Sequence, residues 1–152
     1  MDGLPPHMAS VLTDGGFNVV WLAGNHAMDW GPEPLLDTVE LLRGKGIQTI
    51  GAGGKLAESR QPAIIEAKGL RIAMLAHCSV LPEGYAAGLE TPGVAPIRAM
   101  ARFEPVDYQP GVVTTRDEND LANLISDVRA GQRPALWRER RWHSRRCRSR
   151  AA

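Results

Sequence analysis

The spacing of hydrophobic residues in the first 50 positions predicts alternating helices and strands. Residues 5–14 place apolar side chains one helical turn apart and are followed by two glycines, which is typical of a short amphipathic helix. Residues 17–23 (FNVVWLA) are an almost unbroken apolar run, as expected of a strand buried on both faces. The helical spacing returns in residues 33–45, and the β-branched stretch 47–50 follows. The order strand, helix, strand predicts a parallel βαβ unit.

The next segment carries the signals of a β-hairpin. Residues 55–60 fit one helical turn, and residues 62–67 and 70–77 are two apolar runs separated by Lys68-Gly69, a pair typical of a tight turn. An antiparallel pair beside the parallel unit would make the sheets mixed. The residues GAGG at 51–54 lack the spacing of a phosphate-binding loop, so we interpret them as a turn that needs positive φ.

The last third of the chain changes character twice. Residues 79–116 are rich in proline and glycine and show little periodicity, which predicts irregular structure that forms a site or a lid. Residues 117–130 return to helical spacing, with Asp117 as the expected N-cap and acidic residues in the first turn. The fold class predicted from these elements is α/β.

Length and composition limit the chain to one domain. Its 152 residues are 43% hydrophobic, enough for one core. No run of eighteen apolar residues occurs, and residues 1–10 lack the pattern of a signal peptide, so the sequence as written predicts no membrane segment and no export. Cys78 and Cys147 lie far apart and indicate neither a disulfide framework nor a zinc knuckle.

The net charge of +1 conceals an asymmetry. Residues 1–128 hold nine Lys and Arg against sixteen Asp and Glu, whereas residues 129–152 hold nine Arg and one Glu. The tail 131–152 alternates arginine with Trp137 and Trp142 and has no helical or strand period. Three interpretations are open: out-of-frame translation of a GC-rich gene, which we favour, a disordered basic tail, or a segment that binds single-stranded nucleic acid.

Candidate chemistry is concentrated in residues 23–31 (AGNHAMDWG), directly after the first predicted strand. Active-site groups of α/β folds gather where strands end. The amide oxygen of Asn25 is a neutral hard ligand for a divalent metal, and His26 can protonate a leaving oxygen. The pair fits metal-assisted phosphoester hydrolysis, although an Asn in a loop can also simply cap the next turn.

Residues 17–76 resemble the CapA family of poly-γ-glutamate capsule biosynthesis proteins, within the calcineurin-like metallophosphoesterases. The matching pieces, in order, are FNVVWLAGNHAMDWG, LLDTVELLRGKGI, GAGG, AESRQPAIIEAKG and LRIAMLA, and PGVAPI follows later. The resemblance implies mixed β-sheets sandwiched by helices, with a centre of two divalent metal ions at the strand ends. It implies that Asn25 is a metal ligand, His26 the catalytic histidine and Asp29 its acidic partner.

Two departures from the family pattern concern the metal centre. The family domain begins with a strand bearing a Gly-Asp motif and ends with a Gly-His-x-His motif, and neither occurs in this sequence. One Asn and one His cannot hold two metal ions. His77 and Cys78 are interpreted as a strand-end histidine and a small buried side chain, and His7 and His143 as surface residues.

These observations predict an incomplete CapA-like metallophosphoesterase domain over residues 1–130 and an Arg-rich tail over residues 131–152. We expect the chain to be inactive alone, because its two-metal centre is incomplete. The expected partner is a phosphoester substrate or a polyanionic polymer, and nucleic acid is disfavoured. The alternative is a noncatalytic binding module whose basic tail anchors nucleic acid or an acidic polymer.

Overall fold

The structure, a computed structural model, describes residues 5–106 and 109–132. A 3-10 turn, Pro6–Ala9, leads into helix α1, Ser10–Asp14, as the sequence predicted. Strand β1, Val19–Trp21, then pairs in parallel with β2, Gln48–Ile50, from Val19 opposite Gln48 to Trp21 opposite Ile50. The predicted βαβ unit is therefore confirmed.

Helix α2, Pro32–Gly44, crosses between the two parallel strands. It begins with proline in the first turn, where the missing N–H has no intrahelical partner to lose. Leu35, Val39 and Leu42 are buried at helical spacing, with 4 to 5% of their surface exposed. This apolar stripe is what fastens α2 to the strands.

Strand β1 differs from its prediction in length and burial. It is only three residues long, and it is not buried on both faces: Val19 and Val20 are half-buried, and Trp21 is 69% exposed. The reason is that β1 pairs with β2 in a two-stranded sheet, so an apolar run that would suit the middle of a larger sheet lies largely at the surface.

A second pair of strands forms the base of the core. Strand β3, Ala52–Gly53, pairs antiparallel with β6, Gly93–Val94, and helix α3, Leu56–Ser59, follows β3. The central buried cluster consists of apolar residues from this pair, from helix α2 and from the loop after β1: Ala23, Met28, Leu35, Ala52 and Val94. The core therefore lies directly beneath the loop that follows β1.

The hairpin predicted around Lys68-Gly69 is confirmed. Strand β4, Ala63–Ala67, pairs antiparallel with β5, Leu70–Met74. Lys68 has a φ of 51° and Gly69 a φ of 76°. Two successive positive φ angles are required by the type I′ turn, whose twist matches that of the strands it joins.

The prediction of irregular structure over residues 79–116 was wrong for its second half. Strand β7, Ala99–Val106, pairs with β8, Gln109–Arg116, over eight residues each. Met100, Phe103 and Val112 are largely exposed. Half-buried and exposed positions alternate along β8, but Val112 and Val113 fall on opposite sides of that alternation, so apolar residues do not mark it in the sequence. A two-stranded ribbon also tolerates Pro105, which a central strand would exclude.

Helix α4, Glu118–Gly131, ends the described structure. The expected cap is confirmed: an Asp117 carboxylate oxygen accepts hydrogen bonds from the backbone N–H groups of Asn119 and Asp120, both at 3.0 Å. The predicted apolar stripe is not buried, since Ile125 and Val128 are each more than 40% exposed. Beyond residue 132 the Arg-rich tail lies outside the described residues.

Two ion pairs join α4 to the body, beside the half-buried Leu121 and Leu124 of its apolar stripe. Arg60 binds both carboxylate oxygens of Asp127 at 2.8 Å, and its other contact is the Asn123 carbonyl. Arg98 binds both oxygens of Asp120, at 2.8 and 2.9 Å, and its backbone N–H donates to the same carboxylate at 2.9 Å. Fork-shaped pairs of this kind fix orientation as well as position.

The architecture agrees with the α/β class, since helices are combined with one parallel and three antiparallel strand pairs. The larger metallophosphoesterase-like sandwich stays a prediction. In the described part of the chain, no helix is long and apolar enough to cross a membrane.

Candidate functional site

The loop that follows β1 presents the predicted site residues on a buried base. Ala23 and Met28 are only 4% and 7% exposed, whereas Asn25, His26 and Asp29 lie at the surface. Main-chain hydrogen bonds link successive turns of this loop, among them Ala27 N–H to the Gly24 carbonyl at 3.1 Å. The buried side chains thus fix the loop while the polar ones face solvent.

His26 and Asp29 form a hydrogen-bonded pair. His26 Nδ1 lies 2.8 Å from Asp29 Oδ2, and 80% of the histidine side chain is exposed. Because an ionised carboxylate only accepts hydrogen bonds, the proton of this contact belongs to Nδ1. In the neutral imidazole, Nε2 is then the unprotonated nitrogen of a largely exposed ring, and it can exchange protons.

Tyr85 completes this arrangement, and the sequence analysis missed it. Its hydroxyl donates to Asp29 Oδ1 at 3.1 Å, across a separation of 56 residues. Partial burial of the hydroxyl, and then its hydrogen bond to Asp29, raise the pKa of Tyr85 above its ordinary value, so it remains a donor at neutral pH. The only sequence signal was the prediction that residues 79–116 form a site.

The base of the site is a close meeting of three chain segments at Gly51. A Cβ at this position would lie 2.5 Å from the Ala23 Cβ and 3.0 Å from the Ala76 Cβ. Gly51 also has a φ of 85°, in agreement with the predicted need for positive φ in GAGG. The ends of β1 and β2 and the segment after β5 therefore converge here.

His77 lies near the charged groups that hold α4. Its Nε2 is buried and has no hydrogen-bond partner within the described residues. Burial lowers the pKa of His77 below its ordinary value, and the charge of Arg60 lowers it further, against the opposing effect of Asp127. The neighbouring Cys78 directs its thiol at the Val80 carbonyl, 3.4 Å away.

The residues described by the structure do not fit a complete two-metal centre. They include no group of three or more His, Cys, Asp or Glu side chains placed to hold a metal ion. Near Asn25, both Asp29 oxygens already accept hydrogen bonds and Nδ1 of His26 is engaged. The exposed Asn25 amide is suited to serve as one ligand, and a catalytic divalent ion needs several.

Comparison with known proteins gives a consistent family. Residues 3–136 match the family described as Bacterial capsule synthesis protein PGA_cap. The chain is 38% identical over 106 residues to a probable polyglutamine synthesis accessory protein of Mycobacterium tuberculosis, covering 67% of this chain and 28% of that protein. It is 36% identical over 87 residues to the PGA biosynthesis protein CapA of Bacillus subtilis, covering 57% of this chain and 23% of that protein.

A third relative is the capsule biosynthesis protein CapA of Bacillus anthracis, 29% identical over 82 residues, with 54% of this chain and 20% of that protein covered. The chain thus spans between a fifth and about 28% of the length of these curated relatives. Most of each relative therefore has no counterpart in the aligned part of this chain.

Proposed function

Because the chain belongs to the bacterial capsule synthesis family PGA_cap, which is related to poly-γ-glutamate biosynthesis, we propose that it supplies the acid–base element of a phosphoester-hydrolysing centre. The observation that carries this proposal is the pair of His26 and Asp29, whose contact of 2.8 Å leaves Nε2 exposed at the end of a strand. In its protonated form, with Nδ1–H held by Asp29, such a histidine can give the Nε2 proton to the leaving oxygen of a phosphoester and return to the neutral imidazole.

The proposed role of Asn25 is to contribute one oxygen ligand to a divalent metal beside His26. When bound, such a metal neutralises charge on the phosphoryl oxygens and activates water. The remaining ligands would come from outside the described residues, since these hold no metal-binding group of three. We therefore expect the chain alone to show no metal-dependent turnover.

The proposal is tested in a chimera of the Bacillus subtilis relative, in which the aligned segment of this chain replaces the 87 residues that it matches. Hydrolysis of bis(p-nitrophenyl) phosphate is measured with Mn²⁺. We expect the chimera to be active and His26→Gln to reduce kcat by roughly 100-fold to 10,000-fold, the usual contribution of a general acid. Lys45→Gln, an exposed change beyond helix α2, is the matched control and is expected to retain activity.

Three outcomes separate the parts of the proposal. An active chimera that is unaffected by His26→Gln would remove the catalytic role of His26. If the relative is active and the chimera is not, the loop that carries His26 cannot replace the corresponding loop of the relative. If the relative itself hydrolyses no phosphoester, the reaction is wrong for the family and the proposal is lost.

A further inference from the structure

We propose that Tyr85 is a positioning residue that holds the Asp29 carboxylate, and through it His26, in the geometry that leaves Nε2 of the imidazole facing solvent. Its catalytic meaning rests on the proposed function, but the positioning itself does not. The two oxygens of Asp29 are divided between the partners: Oδ2 contacts His26 Nδ1 at 2.8 Å, and Oδ1 accepts from the Tyr85 hydroxyl at 3.1 Å.

Asp29 needs a second anchor because little else restrains it. Its side chain is 44% exposed, and the torsion that turns an aspartate carboxylate about its own axis has a broad energy well. With one oxygen tied to Tyr85, rotation that would break the contact with His26 is opposed. Without that tie, water competes for both oxygens and the imidazole is free to turn.

Tyr85 is suited to this task because its backbone is fastened to the most buried strand. The Tyr85 carbonyl accepts from Val94 N–H at 2.9 Å, and Ala87 N–H donates to the Val94 carbonyl at 2.9 Å. Val94 has no exposed surface. A Cβ on Gly93 would lie 2.6 Å from the Tyr85 carbonyl oxygen, so the close approach of the two segments depends on that glycine.

The consequence is that the site is assembled from two distant parts of the chain. The loop after β1 carries His26 and Asp29, and the segment before β6 carries the hydroxyl that orients them. The Tyr85 ring also packs against the buried cluster beneath the loop. The orientation of His26 therefore depends on the docking of residues 82–94, as well as on the local sequence.

The test is the tautomer of His26 in the full chain, without metal or substrate. The ring ¹⁵N chemical shifts are recorded at a pH at which the imidazole is neutral, and the His26 signals are assigned by their loss in His26→Gln. We expect the Nδ1–H tautomer in the wild type and a shift toward Nε2–H, the form favoured by free histidine, in Tyr85→Phe. An unchanged tautomer in Tyr85→Phe overturns the proposal.

A second variant separates the hydroxyl from the ring and protects against loss of the fold. Tyr85→Leu removes both. If the His26 tautomer changes in Tyr85→Leu but is kept in Tyr85→Phe, packing of the ring rather than the hydroxyl sets the tautomer, and the proposal is contradicted. Should Tyr85→Phe not fold, the bond is tested from its other end with Asp29→Ala, in which we expect the pKa of Tyr85 to fall only in part, because the hydrogen bond and charge of Asp29 are lost while burial, the larger cause, remains. No change there would equally refute the contact.

The measurements distinguish this inference from the proposed function. A tautomer that depends on the Tyr85 hydroxyl, combined with an inactive chimera, would uphold the positioning role and reject the reaction. An active chimera that requires His26, combined with a tautomer indifferent to Tyr85, would uphold the reaction and reject the positioning role.

Discussion

Gly51 illustrates how one residue determines the geometry of the site. Its positive φ and its contacts with Ala23 and Ala76 let the end of β2 lie directly against the start of the loop that carries His26. Gly46 has a similar φ of 81°, but a Cβ there would meet nothing within 4 Å. The two glycines thus share the conformational requirement and differ in the steric one.

This difference gives a prediction at the residue scale. Gly46→Ala should lower the free energy of unfolding by about 1 kcal/mol, from the unfavourable φ alone. Gly51→Ala should cost about 1 to 3 kcal/mol more, because the added methyl overlaps Ala23 in a packed interior. Urea unfolding of both variants measures the difference. Equal losses would mean that the three segments do not meet closely at Gly51.

At the scale of elements, α4 shows how a helix with a weak apolar face is attached. Only Asp120 of this helix is buried, and its carboxylate receives the Arg98 guanidinium. The hydrogen bonds from Arg98 hold the pKa of Asp120 below its ordinary value, against the opposing effect of burial. The helix is therefore secured by an interaction that requires an ionised carboxylate.

We expect the ion pair of Arg98 with Asp120 to make the stability of the fold depend on pH. Asp120→Asn should cost about 2 kcal/mol at pH 7, the usual contribution of hydrogen bonds to a charged group. A carboxyl with a lowered folded-state pKa stabilises the fold above its unfolded pKa and loses this effect as pH falls through the folded value. The difference between wild type and variant should therefore narrow below about pH 4.

Thermal unfolding of the two proteins between acidic and neutral pH measures this effect. The matched control is Glu104→Gln, since Glu104 pairs with Arg102 on the exposed β7–β8 hairpin, where an ion pair contributes at most about 1 kcal/mol. A cost for Asp120→Asn that does not change with pH would show that packing, rather than the ionised pair, secures α4.

At the scale of the whole molecule, many large apolar residues of the strands are exposed to solvent. The exposed large apolar residues of its strand pairs and their flanks are Phe17, Trp21, Leu70, Ile72, Met74, Met100, Phe103 and Val112. Four separate two-stranded sheets leave many strand edges without a partner in the described structure. Small sheets of this kind gain stability when further strands or a packing layer cover them.

The uneven distribution of charge along the chain allows a test of the alternative function, a noncatalytic binding module. Residues 1–128 carry a net −7 and residues 129–152 a net +8, so a polyanion would bind the tail and be repelled by the body. If the alternative holds, affinity for a single-stranded oligonucleotide or polyglutamate should fall by roughly tenfold or more between low and moderate salt. Fluorescence anisotropy measures this.

Removal of residues 131–152 is the matched comparison for that titration. Binding that disappears with the tail would support the anchoring role. Binding that survives the deletion, or that ignores salt, would contradict it.

Several elements could be predicted from the sequence because their determinants are local. Helix α2 follows from an apolar stripe within thirteen residues, the β4–β5 hairpin from Lys68-Gly69, and the start of α4 from the Asp117 cap. In each case the interacting groups lie within a turn or two of one another. Propensity, periodicity and capping then act on the same few residues.

The β7–β8 hairpin and the contact of Tyr85 with Asp29 could not be predicted in this way. The hairpin fully buries none of the residues whose burial is described, and its apolar residues fall on both faces, so no period in the sequence marks it. The tyrosine meets its partner across 56 residues, and no local pattern marks which aromatic residue will arrive there. Burial of β1 was overestimated for a related reason, since burial depends on how many strands pair with it.

The cap of α4 and the turn of the β4–β5 hairpin follow from the local sequence, because short-range sterics and hydrogen bonding decide them. The tertiary structure instead sets the contact of Tyr85 with Asp29, the meeting of three segments at Gly51 and the ion pairs of α4. Those contacts form between segments far apart in the chain, where their free energy depends on the packing of everything between them.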